Sequence, residues 1–412
     1  MTNLSLTAAY SDVAASAERR EDVLVLATEW DPTKGGLSVF NQKLCRSLAK
    51  LECRVVCYVP PMEGAARVEE NVLIWPAKLV SGVDPSTNGY LIQTPIVDYP
   101  GFEAFAPNIV IGHDDKTGGL AKTYRSRWPE AKIVVFVHTY SPGIRPYKVD
   151  GAHGARRAAE FDELEALISG ADVVACVGPH LHDQVSGIAE YVGTKQLLCF
   201  VPGFGPHRSP RTTGSATRMG VLLVARTKDP ELKGLPTACA AVLAAAVSKP
   251  ELEIEFRILG CENGKAEALR EDCVANIDSP LVRVTVLEYD PQPGHVAREM
   301  FLASVTLMPS AEEGFGLVAF EALGAGCPVL ATPHSGFAEL LKTLSVELYE
   351  QHVVGARETA EESQQEWGRR IRALWANPNK ARDQVTLAQE ALNVYTWEKS
   401  AKALLEYIGK LP

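Results

Sequence analysis

The chain has 412 residues, of which 46% are hydrophobic and 22% are charged, and its formal net charge is −10. A single hydrophobic core stops growing near ~250–300 residues, so this length and composition predict a folded protein of two similar domains. The acidic balance argues against a protein that coats nucleic acid, because such a protein needs a basic surface to displace counterions.

The chain begins with a polar stretch, residues 1–20, which we expect to be a loose tail without the apolar core of a signal peptide. No segment approaches the ~20 apolar residues of a membrane span. The nine cysteines are scattered and odd in number, which favours buried thiols over a disulfide framework or a metal site. We therefore expect a cytoplasmic protein without stable membrane insertion.

Residues 21–204 alternate apolar strands with helical stretches. The predicted strands are residues 22–28, 54–59, 108–112, 132–138, 172–177 and 196–201. The predicted helices are residues 37–50, 118–128, 154–169 and 179–190. Near-continuous apolar strands separated by helices are typical of a parallel sheet covered on both faces, so this part is predicted to be a doubly wound α/β domain.

Residues 205–218 are rich in Gly, Pro, Ser and Thr and are predicted to be a linker. The same alternation then restarts and predicts a second α/β domain over residues 219–393. Its predicted strands are residues 220–225, 255–260, 282–287, 304–309 and 328–331, with helices near 235–247 and 264–274. The remainder, from about residue 359, is mostly helical, and residues 394–412 form the last helix.

In open α/β sheets, ligands bind beyond the carboxyl ends of the strands. The segment 312–332, EEGFGLVAFEALGAGCPVLAT, follows such a strand end. Gly314 and Gly316 would let the backbone approach a ligand, and the free N–H groups of the following helix favour an anion such as phosphate. Glu313 precedes that helix and Glu321 lies about one turn into it. Glu321 needs polar partners among its apolar neighbours, such as a ribose diol. Alternatively, Glu312 or Glu313 is only a helix cap, the glycines serve packing, and Glu321 satisfies nearby backbone.

Two further strand ends carry candidate phosphate ligands. Arg226 follows a strand and Lys233 precedes the next helix, so both cations could meet one diphosphate, or they are solvated loop charges. Gly35 and Gly36 open the helix after the first strand and could form a second phosphate-facing loop or a tight turn. The order of residues is neither a Walker loop nor the three-glycine dinucleotide fingerprint.

Histidine and carboxylate side chains follow two other strands of the first domain. His138 could donate a hydrogen bond to a sugar hydroxyl or position an acceptor, or it is a capping or core histidine. The stretch GHDDK places His113, Asp114 and Asp115 at the equivalent end of another strand, and with Tyr140 these are candidates for acceptor binding. A metal role is not expected, because no further ligands lie nearby in the sequence.

Taken together and in this order, these elements resemble the retaining GT-B glycosyltransferases of glycosyltransferase family 4. This family includes sucrose-phosphate synthase, bacterial glycogen synthase-like enzymes and phosphatidylinositol mannosyltransferases. The resemblance covers roughly residues 22–410, and its most specific element is the spacing of Glu313 and Glu321 within EGFGLVAFEALGAGCPV. It implies two Rossmann-like domains facing across a cleft, with the C-terminal helix, which carries Trp397, crossing back to the first domain.

The resemblance also implies the site. A nucleotide-diphosphate sugar would bind mainly to the second domain, with no cofactor and no metal. Glu313 would contact sugar hydroxyls and Glu321 the ribose, while the amides of Phe315, Leu317 and Val318 would hold sugar and phosphate. Arg226 and Lys233 would neutralise the leaving diphosphate, as stabilisation of developing charge requires.

In the first domain, the resemblance implies that Gly35 and Gly36 approach the phosphates and that His138 touches the transferred sugar. The segment TKDPEL makes the Arg226–Lys233 spacing slightly longer than the usual family loop. The GHDDK stretch is not a general family feature, and it could belong to the acceptor site.

The predicted reaction is transfer of a hexose-type sugar to a hydroxyl acceptor by front-face attack, with retention. A small soluble acceptor is favoured over a lipid, because the sequence shows no basic amphipathic helix that would lie on an anionic bilayer. Two alternatives keep the fold. One is a nucleotide-sugar epimerase or sugar phosphorylase, and the other is a catalytically silent nucleotide-sugar sensor.

Overall fold

The computed structural model describes residues 21–31, 35–84, 88–147, 153–193, 196–205, 218–248, 253–290, 292 and 294–411. The predicted N-terminal tail, residues 1–20, lies outside this set, and so do residues 206–217 of the predicted linker. The description below concerns the residues inside it.

Eight strands form the first sheet. They are β1 (Asp22–Leu26), β2 (Arg54–Val59), β3 (Arg67–Glu69), β4 (Val72–Pro76), β5 (Ile109–His113), β6 (Lys132–Val137), β7 (Val173–Val177) and β8 (Leu197–Phe200). Their order across the sheet is β3-β4-β2-β1-β5-β6-β7-β8, and every neighbouring pair is parallel except β3 and β4. All five residues of β1, of β5 and of β7 are buried, as a sheet covered on both faces requires.

Five parallel strands form the second sheet. They are β9 (Arg218–Val224), β10 (Glu253–Cys261), β11 (Val282–Glu288), β12 (Val305–Met308) and β13 (Val329–Ala331). Their order is β11-β10-β9-β12-β13. Every strand predicted from the sequence is present in the two sheets, with ends that differ by at most two residues. The α/β fold with two parallel-sheet domains is therefore confirmed.

Helices cover both sheets. Those of the first domain are α1 (Gly36–Lys50), α2 (Gly119–Thr123), α3 (Ser141–Ile144), α4 (His153–Ile168) and α5 (Pro179–Tyr191). Those that follow β9 are α6 (Leu235–Val247), α7 (Ala266–Ile277), α8 (His295–Leu302), α9 (Leu317–Gly324), α10 (Gly336–Leu344), α11 (Val346–His352), α12 (Ala360–Ala376), α13 (Pro378–Leu392) and α14 (Trp397–Ile408). No helix among the described residues combines the length and apolar character that crossing a bilayer takes.

Two local predictions were wrong. The helix predicted over 118–128 is instead a π-helical turn at Asp114–Gly118, the short α2, and a 3-10 turn at Tyr124–Ser126. The adjacent glycines 118 and 119 have low helix propensity, which favours this break. Of the nine free cysteines, which were expected to be buried, Cys199 on β8, an edge strand of the described sheet, is exposed.

The strand order sets the position of the site. β1 lies between β2 and β5, and β9 lies between β10 and β12, so each sheet has a switch point at its centre. The loops that leave neighbouring strands there diverge and open a crevice at the carboxyl ends. In the first domain the loops after β1 and β5 flank this crevice, and in the second domain those after β9 and β12 do so.

The last helix, α14, packs on the first domain. Trp397 lies edge-to-face against Phe40 of α1, with ring centroids 5.1 Å apart, and Ser400 Oγ donates to the carbonyl oxygen of Val201 at 2.6 Å. Gly203 lies so close to the Trp397 backbone that a Cβ at this position would overlap it. The last helix thus follows the second domain in sequence but packs on the first domain. Its contacts connect the two domains.

Candidate active site

The glycine loop of the first domain lies directly against a cation of the second. Gly35 has a φ of 105°, in the left-handed region, and it precedes the first residue of α1. A Cβ on Gly35 would lie 2.5 Å from Nη2 of Arg226. A Cβ on Gly36 would lie 3.9 Å from Cδ1 of Leu317, the first residue of α9. The two predicted phosphate-facing loops therefore meet across the interdomain crevice.

Lys233 and Glu313 form an ion pair at the carboxyl end of the second sheet. Lys233 Nζ lies 2.8 Å from Glu313 Oε2, and Ser310 Oγ donates to the same oxygen at 3.2 Å. Lys233 follows β9, while Glu313 follows the neighbouring strand β12. Parallel strands end at one edge of the sheet, and for that reason residues 80 apart in the sequence meet.

The turn before α9 is shaped by glycine. Gly316 has a φ of 92° and precedes α9 without a side-chain cap among the described residues. The first N–H groups of a helix have no intrahelical acceptor, so the start of α9, at Leu317 and Val318, presents amide donors. A Cβ on Gly314 would overlap the carbonyl oxygen of His138, and glycine is thus required where the two domains touch.

Phe315, in the turn before α9, has a buried side chain. Its side chain is 4% exposed and lies edge-on to Phe320, with ring centroids 4.8 Å apart. A Cβ on Gly178, at the start of α5, would lie 2.5 Å from its ring. The aromatic ring therefore packs between the two domains.

Glu321 faces the first domain from α9. Its Oε1 lies 3.9 Å from Nζ of Lys43 on α1, and about 35% of its side chain is exposed. Burial of the carboxyl group raises its pKa, and the Lys43 charge acts in the opposite direction. The direction of this shift is the one expected for a carboxyl group with apolar neighbours.

His138 is held by a second histidine. Its Nε2 lies 3.0 Å from Nδ1 of His113, and its ring is edge-on to Phe40 with centroids 4.6 Å apart. Burial, and then the neighbouring His113, lower the pKa of His138 well below its usual value. Burial alone lowers the pKa of His113 to about 3. Both rings are therefore neutral at physiological pH.

Asp114 belongs to the same turn. Its Oδ1 accepts from the backbone N–H of His138 at 2.7 Å, and its Oδ2 accepts from Thr139 Oγ1 at 3.2 Å. It has a φ of 42°, which is uncommon for a residue other than glycine. Burial raises its pKa to about 7, and its hydrogen bonds counteract part of that shift. The carboxyl group thus supports the backbone that presents His138.

The other acceptor candidates are not gathered at one point. Asp115 pairs with its neighbour Lys116 at 2.7 Å, and 67% of its side chain is exposed. Tyr140 lies edge-on to Phe161 of α4, with ring centroids 6.1 Å apart. His113 is 1% exposed and lies behind His138. The acceptor roles of these residues stay predictions.

Sequence reasoning missed a polar cluster that crosses the crevice. Glu312 Oε1 lies 2.7 Å from His180 Nε2 and accepts from Gln184 Nε2 at 2.8 Å, both on α5. Burial opposes ionisation of Glu312, but these hydrogen bonds outweigh it and lower its pKa. In the sequence, the adjacent acids at 312 and 313 could have indicated this cluster, because two neighbouring carboxylates need separate partners.

No group of three or more His, Cys, Asp or Glu side chains that could hold a metal ion occurs in the part of the chain that the structure describes. The polar groups that converge at the crevice are instead the cations Arg226 and Lys233, the acids Glu313 and Glu321, and the helix amides. This combination suits a ligand with two anionic groups flanked by hydroxyls.

Comparison with known proteins bears on the family and the fold. Residues 24–404 match the model of a family described as family 4 glycosyltransferase in conflict systems. A D-inositol 3-phosphate glycosyltransferase of Corynebacterium urealyticum is 25% identical over 92% of this chain and 91% of that protein. One from an Arthrobacter species is 26% identical over 51% of this chain and 47% of that protein.

Solved structures share the architecture. Sucrose-phosphate synthase from Thermosynechococcus elongatus aligns with a TM-score of 0.70 at 18% identity, covering 95% of this chain and 99% of that one. The E. coli trehalose-6-phosphate protein bound with UDP-2-fluoro glucose aligns with a TM-score of 0.64 at 12% identity, covering 95% and 99%. At these identities the likeness concerns the fold, which is GT-B.

Proposed function

The chain belongs to the family 4 glycosyltransferases described in conflict systems, and from this premise we propose that it moves a hexose-type sugar from a nucleotide-diphosphate sugar to a hydroxyl acceptor with retention. That it is a glycosyltransferase with the GT-B fold follows from the family and the structural comparisons. The donor, the stereochemistry and the independence from metal are the proposal.

One observation carries the proposal: the contact of the Gly35 loop with the Arg226 guanidinium. A diphosphate at this point would receive positive charge from the second domain and backbone N–H groups from both domains. Lys233, at the neighbouring strand end, would add a second charge. The surrounding residues favour an anion, because helix N-termini and cations attract the same sign.

The two acids flank this anion site. Glu321 would accept hydrogen bonds from the ribose hydroxyls, and its raised pKa reflects a carboxyl group that lacks full solvation. Glu313 would contact hydroxyls of the transferred sugar, and His138 would contact the sugar from the other side. Arg226, Lys233 and Glu313 with His138 are accordingly the proposed catalytic residues.

The rate would depend on charge stabilisation. Cleavage of the bond between the sugar and the diphosphate moves negative charge onto the leaving oxygen, and oriented cations and amides stabilise it as it develops. Asp114, the carboxylate next to His138, has both oxygens in hydrogen bonds, so it is poorly placed as a nucleophile. We propose front-face attack, in which a phosphate oxygen of the donor takes the acceptor proton.

The acceptor is proposed to be small and soluble. The names of the relatives point to inositol 3-phosphate, sucrose phosphate and trehalose 6-phosphate chemistry. Phosphorylated and free polyols are thus the first compounds to compare.

The test begins with thermal stabilisation by uridine, guanosine, adenosine and thymidine diphosphate sugars, each against its free nucleotide. Nucleotide release is then measured with and without polyol and polyol-phosphate acceptors, in EDTA and in added Mg²⁺, and the anomeric configuration of the product is read by NMR. We expect acceptor-dependent release, unchanged by EDTA, with the donor configuration retained.

Each part of the proposal can fail separately. Inversion at the anomeric carbon or a covalent glycosyl-enzyme adduct in the mass spectrum would contradict front-face retention. Loss of turnover in EDTA would contradict metal independence. Stabilisation by a nucleotide sugar without any turnover across the acceptors would favour a sensor.

A further inference from the structure

Three polar side chains form a buried series behind the crevice. Asn41 Oδ1 lies 3.3 Å from His113 Nε2, and His113 Nδ1 lies 3.0 Å from His138 Nε2. The residues come from α1, from the end of β5 and from the position after β6. Asn41 and His113 are each 1% exposed, so water does not compete for their hydrogen bonds.

The first member of the series has a defined orientation. Asn41 Nδ2 donates to Cys57 Sγ at 3.4 Å, and Cys45 Sγ donates to Asn41 Oδ1 at 3.6 Å. The oxygen of the amide therefore faces His113. Rotating the amide by 180° would lose the bond to Cys57 Sγ and would require His113 Nε2 to accept instead of donate.

This orientation decides where the protons lie. An amide oxygen can only accept, so His113 carries its proton on Nε2 and its Nδ1 is an acceptor. The partner of that Nδ1 must donate, and it is Nε2 of His138. Because burial keeps both rings neutral, Nδ1 of His138 is then unprotonated.

Aromatic rings pack against the two imidazoles. Phe40 is edge-on to both, with centroids 6.2 Å from the His113 ring and 4.6 Å from the His138 ring. Phe136 lies 5.6 Å from the His113 ring and 6.0 Å from the His138 ring. The same two phenylalanine rings therefore border both imidazoles.

We propose that His113, oriented by Asn41, is a positioning residue that holds His138 in its Nε2–H tautomer, so that His138 accepts a hydrogen bond from a hydroxyl of the donor sugar through Nδ1. This inference rests on the proposed function and refines it, since His138 acts there as an acceptor. A sugar hydroxyl can bind His138 only if its O–H bond points towards Nδ1 of that histidine. The series thereby limits which donor sugars and which sugar orientations are productive.

The tautomer can be measured directly. In protein labelled with ¹⁵N-histidine, long-range ¹H–¹⁵N correlation spectra distinguish a protonated from an unprotonated ring nitrogen, and the His138→Gln variant assigns the signals. We expect His113 and His138 both as neutral Nε2–H tautomers at pH 7. A protonated Nδ1 on His138 would overturn the proposal without any reference to activity.

Variants separate positioning from packing. In His113→Gln, the amide can still donate to Asn41 and accept from His138, whereas His113→Leu keeps the bulk and loses both bonds. We expect His113→Leu to lower kcat/KM for the donor by roughly tenfold or more, as for other groups that orient a functional histidine, and His113→Gln to recover most of it. His182→Gln changes a partly exposed histidine on α5; it is the control and should match the wild type.

Asn41→Leu tests the start of the series. It removes the acceptor of His113 Nε2–H, so we expect the His138 signals to show a mixture of tautomers and the donor KM to rise several-fold. Wild-type kcat/KM in His113→Leu, or an unchanged His138 tautomer in Asn41→Leu, would contradict the proposal. If the wild type shows no transfer with any donor, the proposed function fails, while the NMR result still decides the tautomer.

Discussion

Glu312 and His180 lie 2.7 Å apart, oxygen to nitrogen, and their contact joins the loop before α9 in the second domain to α5 in the first. Only 14% of the Glu312 side chain and 17% of the His180 side chain are exposed. A partly buried pair of this kind contributes more than a solvated one, because removing one partner leaves the other without compensation.

We predict that Glu312→Gln lowers the free energy of unfolding by about 1–2 kcal/mol at neutral pH, since a charge-assisted hydrogen bond is lost. The pKa of Glu312 is lowered in the folded protein, so its stabilisation is present above the usual carboxyl range and disappears as the pH falls through the lowered pKa. Calorimetric melting from pH 7 into the acid range measures this.

The matched control is Glu398→Gln, because Glu398 pairs with Lys50 on the surface at 2.8 Å with both side chains well exposed. That change should cost less than about 0.5 kcal/mol. If the difference in unfolding free energy between wild type and Glu312→Gln grows as the pH falls, the pKa of Glu312 is not lowered by folding.

Gly35→Ala should damage the site through Arg226. The added Cβ would lie 2.5 Å from Nη2 of Arg226 and would push the guanidinium away. We expect kcat/KM for the donor to fall roughly 10- to 100-fold, as for a misplaced catalytic group. Gly64→Ala is the control, since Gly64 has a similar φ of 101° but open space around it. Equal losses in the two variants would assign the effect to backbone strain.

Lys233→Met should slow the chemical step. The variant keeps the length of the side chain but removes the charge that pairs with Glu313 and would stabilise the leaving diphosphate. We expect kcat to fall about 100-fold with a smaller change in the donor Kd. Lys228→Met, an exposed lysine in the same loop, should behave like the wild type. Single-turnover nucleotide release is the measurement, and a normal rate in Lys233→Met would remove Lys233 from the mechanism.

Glu321 should make donor binding depend on pH. Burial raises its pKa, so the ionised fraction begins to fall at a higher pH than for an ordinary glutamate. Calorimetric titrations of the donor nucleotide should therefore show affinity declining on acidification above the usual carboxyl range. Glu321→Gln should weaken binding roughly tenfold and abolish this decline.

Lys43→Met provides a further check on Glu321. The Lys43 charge acts to lower the pKa of Glu321, and its removal should move the decline in affinity to still higher pH. If the pH profile does not move, a group other than Glu321 controls donor binding.

The strands of both domains were predictable from the sequence because a buried parallel strand is a local apolar run. The hairpin formed by β3 and β4 was missed. β3 has three half-buried residues, and so short a segment carries no clear period. β4, a buried apolar run that pairs in parallel with β2, carried the same signal as the other strands and was overlooked. The helices α8, α10 and α11 were missed as well, while α9 was predicted from its glycine turn.

The candidate site, too, was predictable from the sequence only in part. The rule that ligands bind at the carboxyl ends of parallel strands was enough to select Arg226, Lys233, Glu313 and His138 as candidates. Their roles in transfer stay predictions. The pairing of Lys233 with Glu313 depends on strand order, which no local pattern contains.

The sequence by itself determined the fold class, the two sheets and the strand ends at which polar residues gather, because these follow from short-range periodicity and turn chemistry. Only the tertiary structure decided that Gly35 lies on Arg226, that Glu312 reaches His180, and that His113 stands behind His138. Each of these contacts joins segments far apart in the chain. Their geometry depends on how the sheets and domains pack, and that packing is a property of the whole molecule.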